Sequence, residues 1–212
     1  NIKERMGESI EKLTHIEHVL KRPDSYLGPV DTSSESYWLF NKTTEKFQKK
    51  NISYSPALLK IFDEILVNSI DRNSLHPKSV TNISVSVDKG TGTVTIENNG
   101  PLGGIGVKMH EKEGLWNPEL TFGHLLTSTN YDDTQKRIVG GRNGYGAKLT
   151  NIYSSEFSII IKDHEAGKMY TQKWSNNMTT CHPPKLTKHS GSTSSVSITF
   201  VPDWKRFGMK QM

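Results

Sequence analysis

The order in which helix-like and strand-like patterns follow one another constrains the fold of this chain most. The patterns run helix, helix, two strands, helix, helix and three strands, without regular alternation of single strands and helices. Parallel sheets need a crossover, usually helical, between successive strands, so this order argues against a doubly wound fold. We therefore predict an α+β fold, a two-layer sandwich in which a mixed, mostly antiparallel sheet carries helices on one face.

The clearest helical pattern follows Ser55 and Pro56, which suit an N-cap and the first helical position. We predict a helix from 57 to about 71, preceded in the chain by a short helix around 10–20. Its apolar residues span a broad arc, namely Leu58, Leu59, Ile61, Phe62, Ile65, Leu66 and Ile70. The polar residues Lys60, Glu64, Asn68 and Asp71 share one narrow strip, which faces either a cavity or solvent.

Two alternating runs at 83–87 and 94–98 are joined by a short glycine-containing turn and predict a hairpin. Because side chains alternate along a strand, Asn98 should point to the same side as Val94 and Ile96, toward the core. A buried amide needs a hydrogen-bond partner, which a ligand could supply. Three further strands are predicted at 157–162, 169–174 and 196–201, a loop or small hairpin at 31–53, a helix at 118–126 and a surface loop at 181–193.

A glycine-rich stretch at 140–151 leads directly into a short helical pattern. Glycines allow backbone turns that other residues cannot adopt, and free amides at a helix start complement phosphate. Lys148 adds a positive charge to this stretch. The stretch matches neither the P-loop nor the dinucleotide fingerprint, so an ordinary surface turn explains the loop alone equally well.

Composition excludes some functional classes. The 212 residues include no apolar run long enough to cross a membrane, which predicts an intracellular protein with no membrane partner. Cys181 is the only cysteine, so no intramolecular disulfide can form. The net charge of +5 permits contact with nucleic acid, but the lysines are spread along the chain and charge alone decides nothing.

Together these signals describe a nucleotide site. Asn68 can offer a neutral oxygen to Mg²⁺, which binds mainly through phosphates and water. Glu64 lies one helical turn earlier, where a carboxylate can orient a water toward a γ-phosphate as a general base. Asn98 and the glycine stretch would supply the remaining contacts.

Several long tracts resemble the N-terminal ATPase domain of eukaryotic-type DNA topoisomerase II. They are residues 17–28, 61–68, 122–133, 140–149 and 174–178. That domain belongs to the superfamily shared by gyrase, heat-shock chaperones, histidine kinases and MutL. The resemblance implies the Bergerat-type ATP-binding fold, with ATP and Mg²⁺ as cofactors.

The resemblance also implies residue roles. Glu64 would be the catalytic base, Asn68 the magnesium ligand and Asn98 the residue at the adenine position. Ser128, Thr129 and Asn130 would contact ribose and phosphate. The triphosphate would be wrapped by Arg142, Asn143, Gly144, Tyr145, Gly146, Ala147 and Lys148.

As a member of that family the chain would be part of a nuclear isomerase. ATP binding would drive homodimerisation and close a gate that captures DNA, coupling hydrolysis to strand passage by the full-length enzyme. We expect an N-terminal arm and first helix at 1–30 and an ATP-binding domain at 31–212. The transducer and DNA-cleavage domains of the family are absent from this chain, so we expect little ATP turnover by it alone.

Four positions depart from the family pattern. Two extra residues follow Asn99, Arg72 stands where relatives carry Asn, Val196 replaces a threonine near adenine, and Ile10 replaces the tyrosine of the arm. These changes affect the adenine pocket and the dimer contact rather than the hydrolytic centre. Two alternatives stay open: a histidine-kinase-like catalytic domain, which should lack the base at Glu64, and a non-catalytic ATP-gated interaction domain.

Overall fold

The computed structural model describes residues 11–101, 104–125 and 145–212. The four α-helices there are α1 His15–Lys21, α2 Pro56–Leu75, α3 Asn117–Gly123 and α4 Gly146–Ile152. The strands are β1 Ser33–Asn41, β2 Lys46–Tyr54, β3 Asn82–Asp88, β4 Thr93–Gly100, β5 Ser154–Asp163, β6 Lys168–Ser175, β7 Thr180–Cys181, β8 Lys185–Lys188 and β9 Ser194–Pro202. Short 3₁₀ helices occupy Pro23–Ser25 and Trp204–Phe207.

Seven strands form the main sheet, in the order β3-β4-β9-β5-β6-β7, and β8 pairs with β6. Every strand pair between described residues is antiparallel. The last long strand, β9, lies between β4 and β5, so it joins the β3–β4 hairpin to the β5–β6 hairpin. This arrangement confirms the predicted antiparallel sheet.

The core is built from rows of side chains that run across the sheet in register. One row joins Val94, Phe200, Phe157 and Trp174, and the next joins Ile96, Ile198, Ile159 and Gln172. These residues are buried, whereas alternate residues such as Ile160 on the other face remain exposed. Helices α2, α3 and α4 pack on the buried face. The two-layer α+β prediction, with helices on one face, is thus confirmed.

Helix α2 begins where the sequence predicted but extends to Leu75, beyond the predicted end at 71. The Ser55 side chain accepts a hydrogen bond from the Leu58 amide at 3.3 Å and caps the helix. The broad apolar arc is not buried along its whole width, because Leu59 is 50% exposed and Ile70 is 47% exposed. Among the side chains of α2 that the structure describes, the buried ones form one face with Ala57, Ile61, Ile65 and Ser69.

Other elements also differ from the sequence prediction. Helix α1 starts at His15, later than predicted, because Thr14 and Glu17 form a capping box there. The segment predicted as a loop or small hairpin is a two-stranded sheet of its own, β1 and β2. The predicted surface loop at 181–193 contains β8, which pairs with β6. Among the described residues, no helix combines the length and apolar character needed to cross a membrane.

Candidate functional site

Helix α2 holds Glu64 beside its buried face. Ile61 and Ile65 anchor that face in the core, and the Glu64 side chain, 22% exposed, lies next to it. Lys60, one turn earlier, bonds the Glu64 Oε1 atom at 2.7 Å. This hydrogen bond raises the pKa of Lys60. One oxygen of the carboxylate is therefore held by its own helix.

The second oxygen of Glu64 lies against the start of α4. A β-carbon built on Gly146 would lie 2.0 Å from Glu64 Oε2, closer than non-bonded atoms approach. Thr150, one turn along α4, donates to the Ile61 carbonyl at 2.8 Å and ties the two helices together. A side chain at 146 would push the end of the Glu64 side chain aside, because α4 begins in contact with the carboxylate.

Lys148 lies two residues further along α4 and is only 4% exposed. Burial in low dielectric disfavours a charged ammonium and lowers the pKa of Lys148 to about 8. A buried lysine with a lowered pKa is more typical of functional sites than of ordinary surfaces. The helix that begins against the Glu64 carboxylate, at the α2–α4 junction, therefore also carries a desolvated amine.

Asn98 lies on β4 in a row that is otherwise apolar, between Ile83 and Val196. It is buried, as the strand alternation predicted. Its carbonyl oxygen accepts a hydrogen bond from the Ser69 hydroxyl of α2 at 3.2 Å. Ser69 thus fixes the amide of Asn98 and joins α2 to the sheet.

The segment after β4 is held by two residues from neighbouring strands. Asp163, at the end of β5, accepts from the Val107 amide at 2.7 Å and from the Ala166 amide at 3.0 Å. Ser194, at the start of β9, packs so closely that a β-carbon on Gly104 would lie 2.8 Å from its Cβ. Since Gly100 pairs with Ser194 in register, this segment lies at the same end of the sheet as Asn98.

Two further predicted residues lie at the rim of the junction. Asn68 is exposed one turn after Glu64 on α2. Tyr145 precedes α4, and its ring centre lies 6.1 Å from that of Tyr26, whose hydroxyl hydrogen-bonds His18 at 2.9 Å. The N-terminal helical region therefore reaches the start of α4.

The structure thus brings Glu64 into contact with Gly146 at the start of α4, the helix that also carries Ala147 and Lys148, and Ser69 links Asn98 to α2. Six predicted residues, Ser128, Thr129, Asn130, Arg142, Asn143 and Gly144, lie outside the described residues. Within the described residues, no group of three His, Cys, Asp or Glu side chains is arranged to hold a metal ion.

Three contributors to the site were missed from the sequence. Ser69 follows Ile61 and Ile65 at intervals of four, so it continues the buried face of α2, and this spacing was a usable signal. Tyr26 lies within residues 17–28, one of the tracts that resemble the family, but nothing in that tract indicated a contact with Tyr145. Asp163 had no signal, because a carboxylate before a turn at a strand end is common.

Comparison with known proteins gives one consistent result at the level of sequence. No family model matches the chain. It is 46% identical to DNA topoisomerase 2 of Saccharomyces cerevisiae over 206 residues, which is 97% of the chain and 14% of the relative. It is 45% identical to DNA topoisomerase 2 of Pisum sativum over 202 residues, again 14% of the relative. The chain spans only a small part of the curated relatives that it matches.

Solved structures give the same picture. The ATPase region of Saccharomyces cerevisiae topoisomerase II superposes with a TM-score of 0.91 and 46% identity, covering 96% of this chain and 53% of that one. The ATPase and transducer domains of Balamuthia mandrillaris DNA topoisomerase II give 0.91 and 43% identity, covering 96% and 52%. The 43K ATPase domain of Thermus thermophilus gyrase B shares the fold, with a TM-score of 0.64 and 22% identity over 93% of this chain and 41% of that one.

Proposed function

We propose that this chain, which is homologous to the ATPase region of type II DNA topoisomerases, binds ATP and hydrolyses its γ-phosphate at the α2–α4 junction. The observation that carries the proposal is the contact between Gly146 and the Glu64 carboxylate, with the buried amine of Lys148 two residues along the same helix. A turn that merely covers a surface needs neither a carboxylate against its helix start nor a desolvated lysine.

Glu64 is proposed as the general base. Lys60 holds Oε1, and Oε2 lies against Gly146 at the start of α4. A carboxylate oriented in this way can accept a proton from a water molecule as that water attacks phosphorus. Lys60 acts as a positioning residue, because it touches the base rather than the phosphate.

Lys148 is proposed to bind the phosphate groups. Burial disfavours its charged form, and a polyphosphate placed beside it would stabilise that form. The backbone of Tyr145, Gly146 and Ala147 would line the same phosphates. Arg142, Asn143 and Gly144 are proposed to contact the triphosphate as well. Ser128, Thr129 and Asn130 are proposed to contact ribose and phosphate.

Asn68 is proposed to hold Mg²⁺ together with the phosphates. Its amide oxygen is a suitable neutral ligand, and its exposed position one turn from Glu64 leaves space for the water molecules that Mg²⁺ keeps. When bound, the ion would neutralise phosphate charge.

Asn98 is proposed to contact the adenine base at the opposite end of the site. The Ser69 hydrogen bond fixes its amide, and Asp163 and Ser194 hold the segment that follows β4 beside it. Val196 lies directly across from Asn98 and is apolar, whereas the family pattern has a threonine at this position. The proposed adenine pocket therefore lacks the threonine hydroxyl that could hold a water molecule there.

Within a longer protein, the chain is proposed to act as an ATP-driven gate. Two copies would associate when ATP binds, and the closed gate would capture a DNA segment for strand passage by the complete isomerase in the nucleus. DNA is thus a proposed substrate of the longer enzyme, and a second copy of this chain is the proposed partner.

Titration calorimetry with a non-hydrolysable ATP analogue and Mg²⁺ tests binding directly, with molecular mass followed in the same samples. We expect saturable binding by the wild-type chain and loss of most of that binding in Asn68→Ala. Asp71→Ala on the same helix strip is the matched control and should bind normally. Absence of any binding by the wild-type chain would refute the proposed function, and binding without a doubling of mass would refute dimerisation by this chain.

A further inference from the structure

The β1–β2 hairpin presents one face that is exposed along its whole length. Register pairs Trp38 with Lys49 and Phe40 with Phe47, and partners directly opposite in an antiparallel pair share a face. We call the set Ser34, Ser36, Trp38, Phe40, Phe47, Lys49, Asn51 and Ser53 the aromatic face. All eight of these residues are exposed.

Exposure of large aromatic side chains on this face is unusual. Trp38 and Phe47 are each 66% exposed and Phe40 is 53% exposed. Phe40 and Phe47 contact each other edge-on with ring centres 5.5 Å apart. The half-buried residues within both strands, including Gln48, Ile52 and Tyr54, all lie on the opposite face. A row of rings that the fold leaves in water is a candidate binding surface.

The aromatic face carries one positive charge, that of Lys49, because Lys46 and Lys50 pair with Asn41 and Tyr37 on the opposite face. The segment 33–54 contains four lysines and two glutamates. Glu35 lies on the opposite face, where it accepts a hydrogen bond from Tyr37 at 3.2 Å, and Glu45 lies in the turn. The aromatic face therefore carries Lys49 and no acidic residue. An anionic partner with flat apolar groups fits this combination.

We propose that the aromatic face binds single-stranded DNA, with Trp38 and the Phe40–Phe47 pair stacking on unpaired bases and Lys49 contacting the phosphate backbone. Bases stack on exposed aromatic rings of a sheet regardless of their sequence, and lysines follow the backbone charge. Duplex DNA hides its base faces and could use only Lys49. Trp38 and Phe40, two positions apart on one strand, lie about 7 Å from each other, so successive bases can occupy both.

The stacking surface and its charge are independent of the ATP site. The choice of DNA over RNA rests on the proposed function, because the homologous regions occur in DNA enzymes. An acidic peptide would also be attracted to Lys49, but it would not need three exposed rings on one face. Binding of such a peptide in place of DNA is an outcome that the experiment distinguishes.

Fluorescence anisotropy of a labelled single-stranded oligothymidine of about fifteen nucleotides, titrated at low salt with the chain of 212 residues, measures this binding. We expect roughly tenfold weaker binding for Trp38→Ala and for Phe47→Ala, since stacking contributes about that much per base. Trp38→Phe keeps a ring and should retain most of the affinity. Lys49→Gln should weaken binding severalfold and flatten its dependence on salt.

Matched controls come from the main sheet. Val87→Ala removes an exposed apolar side chain from β3, and Lys89→Gln removes a lysine from the following turn. Neither should change oligothymidine affinity. Thermal denaturation of each variant verifies folding, and binding of the ATP analogue is measured in the same samples, so failure of the ATP site is distinguished from failure of the hairpin.

Two results would overturn the inference. If Trp38→Ala and Trp38→Phe bind oligothymidine as tightly as the wild-type chain, the rings are not used. If duplex DNA or oligouridine binds as tightly as oligothymidine, or if only an acidic peptide binds, the surface is not specific for single-stranded DNA. Preferential binding of oligothymidine that depends on the rings would support it.

Discussion

The two ends of the candidate site are built on different physical principles. At the α2–α4 junction the fit is steric: Gly146 has no room for a side-chain carbon beside Glu64. At the β4–β9 end the fit depends on polar contacts: Asn98 bonds Ser69, and Asp163 bonds the backbone of the segment that follows β4. One end is sensitive to volume and the other to hydrogen-bonding capacity.

This difference predicts that substitutions at the two ends have different effects on hydrolysis, nucleotide binding and stability. Added volume at the junction should move the proposed base and slow the chemical step more than it weakens binding. Lost polarity at the other end should weaken nucleotide binding and stability with little direct effect on chemistry. The substitutions that follow test that separation.

The largest effect is expected for Gly146→Ala. The new methyl group would displace the Glu64 carboxylate, and misplacement of a reacting group by about 1 Å can slow catalysis on the order of a hundredfold. Overpacking should also reduce the free energy of unfolding by about 1–3 kcal/mol. Single-turnover hydrolysis and denaturant unfolding measure the two effects.

Gly106→Ala is the matched control, because a β-carbon there lies 4.0 Å from its nearest neighbour, the end of the Lys108 side chain. It should leave hydrolysis and stability nearly unchanged. The double variant Glu64→Ala/Gly146→Ala removes the clash and should recover the stability lost in Gly146→Ala. A Gly146→Ala variant with wild-type stability and rate would mean that the junction is not sterically closed.

A smaller but distinctive effect is expected from pH at Lys148. The charged amine attracts phosphate, so affinity for the ATP analogue should fall as pH rises through about 8, the pKa of Lys148. The decline should approach about tenfold per pH unit above that value, as expected for loss of one bound proton. Lys148→Met should bind weakly at pH 7 and show no such decline.

Stability of the unliganded chain should change in the opposite direction. The folded state binds fewer protons than the unfolded state between the lowered pKa of about 8 and the ordinary value of 10.5. Stability contributed through Lys148 therefore rises across that pH range. Unfolding of wild-type chain and Lys148→Met, followed from pH 7 to 10, should show this rise only in the wild type. If the free energy of unfolding changes with pH in the same way in both proteins, the pKa of Lys148 does not contribute to stability as predicted.

The smallest effect is expected at Asp163. Asp163→Ala leaves the amides of Val107 and Ala166 without their acceptor, which costs about 1–3 kcal/mol of stability when such groups stay buried. Affinity for the ATP analogue should fall severalfold because the segment beside Asn98 loosens. Calorimetry and thermal denaturation report the two changes.

Asp88→Ala is a close chemical match, because Asp88 also accepts from backbone amides of a turn, Gly90 at 2.8 Å and Thr91 at 3.3 Å. It should reduce stability without changing nucleotide affinity. Equal loss of affinity in both variants would show that Asp163 affects binding only through general stability.

Much of the fold was predictable because strand alternation is a strong local signal. The alternation at 94–98 placed Asn98 in the core, and the absence of single strand–helix alternation predicted the antiparallel sheet. Ser55 and Pro56 marked the start of α2 correctly. In contrast, the broad apolar arc of α2 did not show that Leu59 and Ile70 stay exposed, since an apolar side chain on a helix does not have to be covered.

Contacts between distant segments were harder to predict. The requirement for Gly146 to be glycine depends on Glu64, more than eighty residues earlier in the chain, and no local pattern encodes that distance. The Asp163–Val107 bond is similar, because it depends on which strands become neighbours. The roles of individual site residues, including those outside the described residues, remain predictions.

Single-turnover hydrolysis of ATP by Glu64→Gln, with the chain in excess over nucleotide, tests the central claim most directly. Glutamine keeps the shape beside Gly146 but cannot accept the proton from water, so we predict hydrolysis at least about a hundredfold slower, with binding of the ATP analogue retained. Asp63→Asn, on the neighbouring half-exposed carboxylate, should hydrolyse ATP at the wild-type rate. Hydrolysis by Glu64→Gln at the wild-type rate would contradict the assignment of Glu64 as the base.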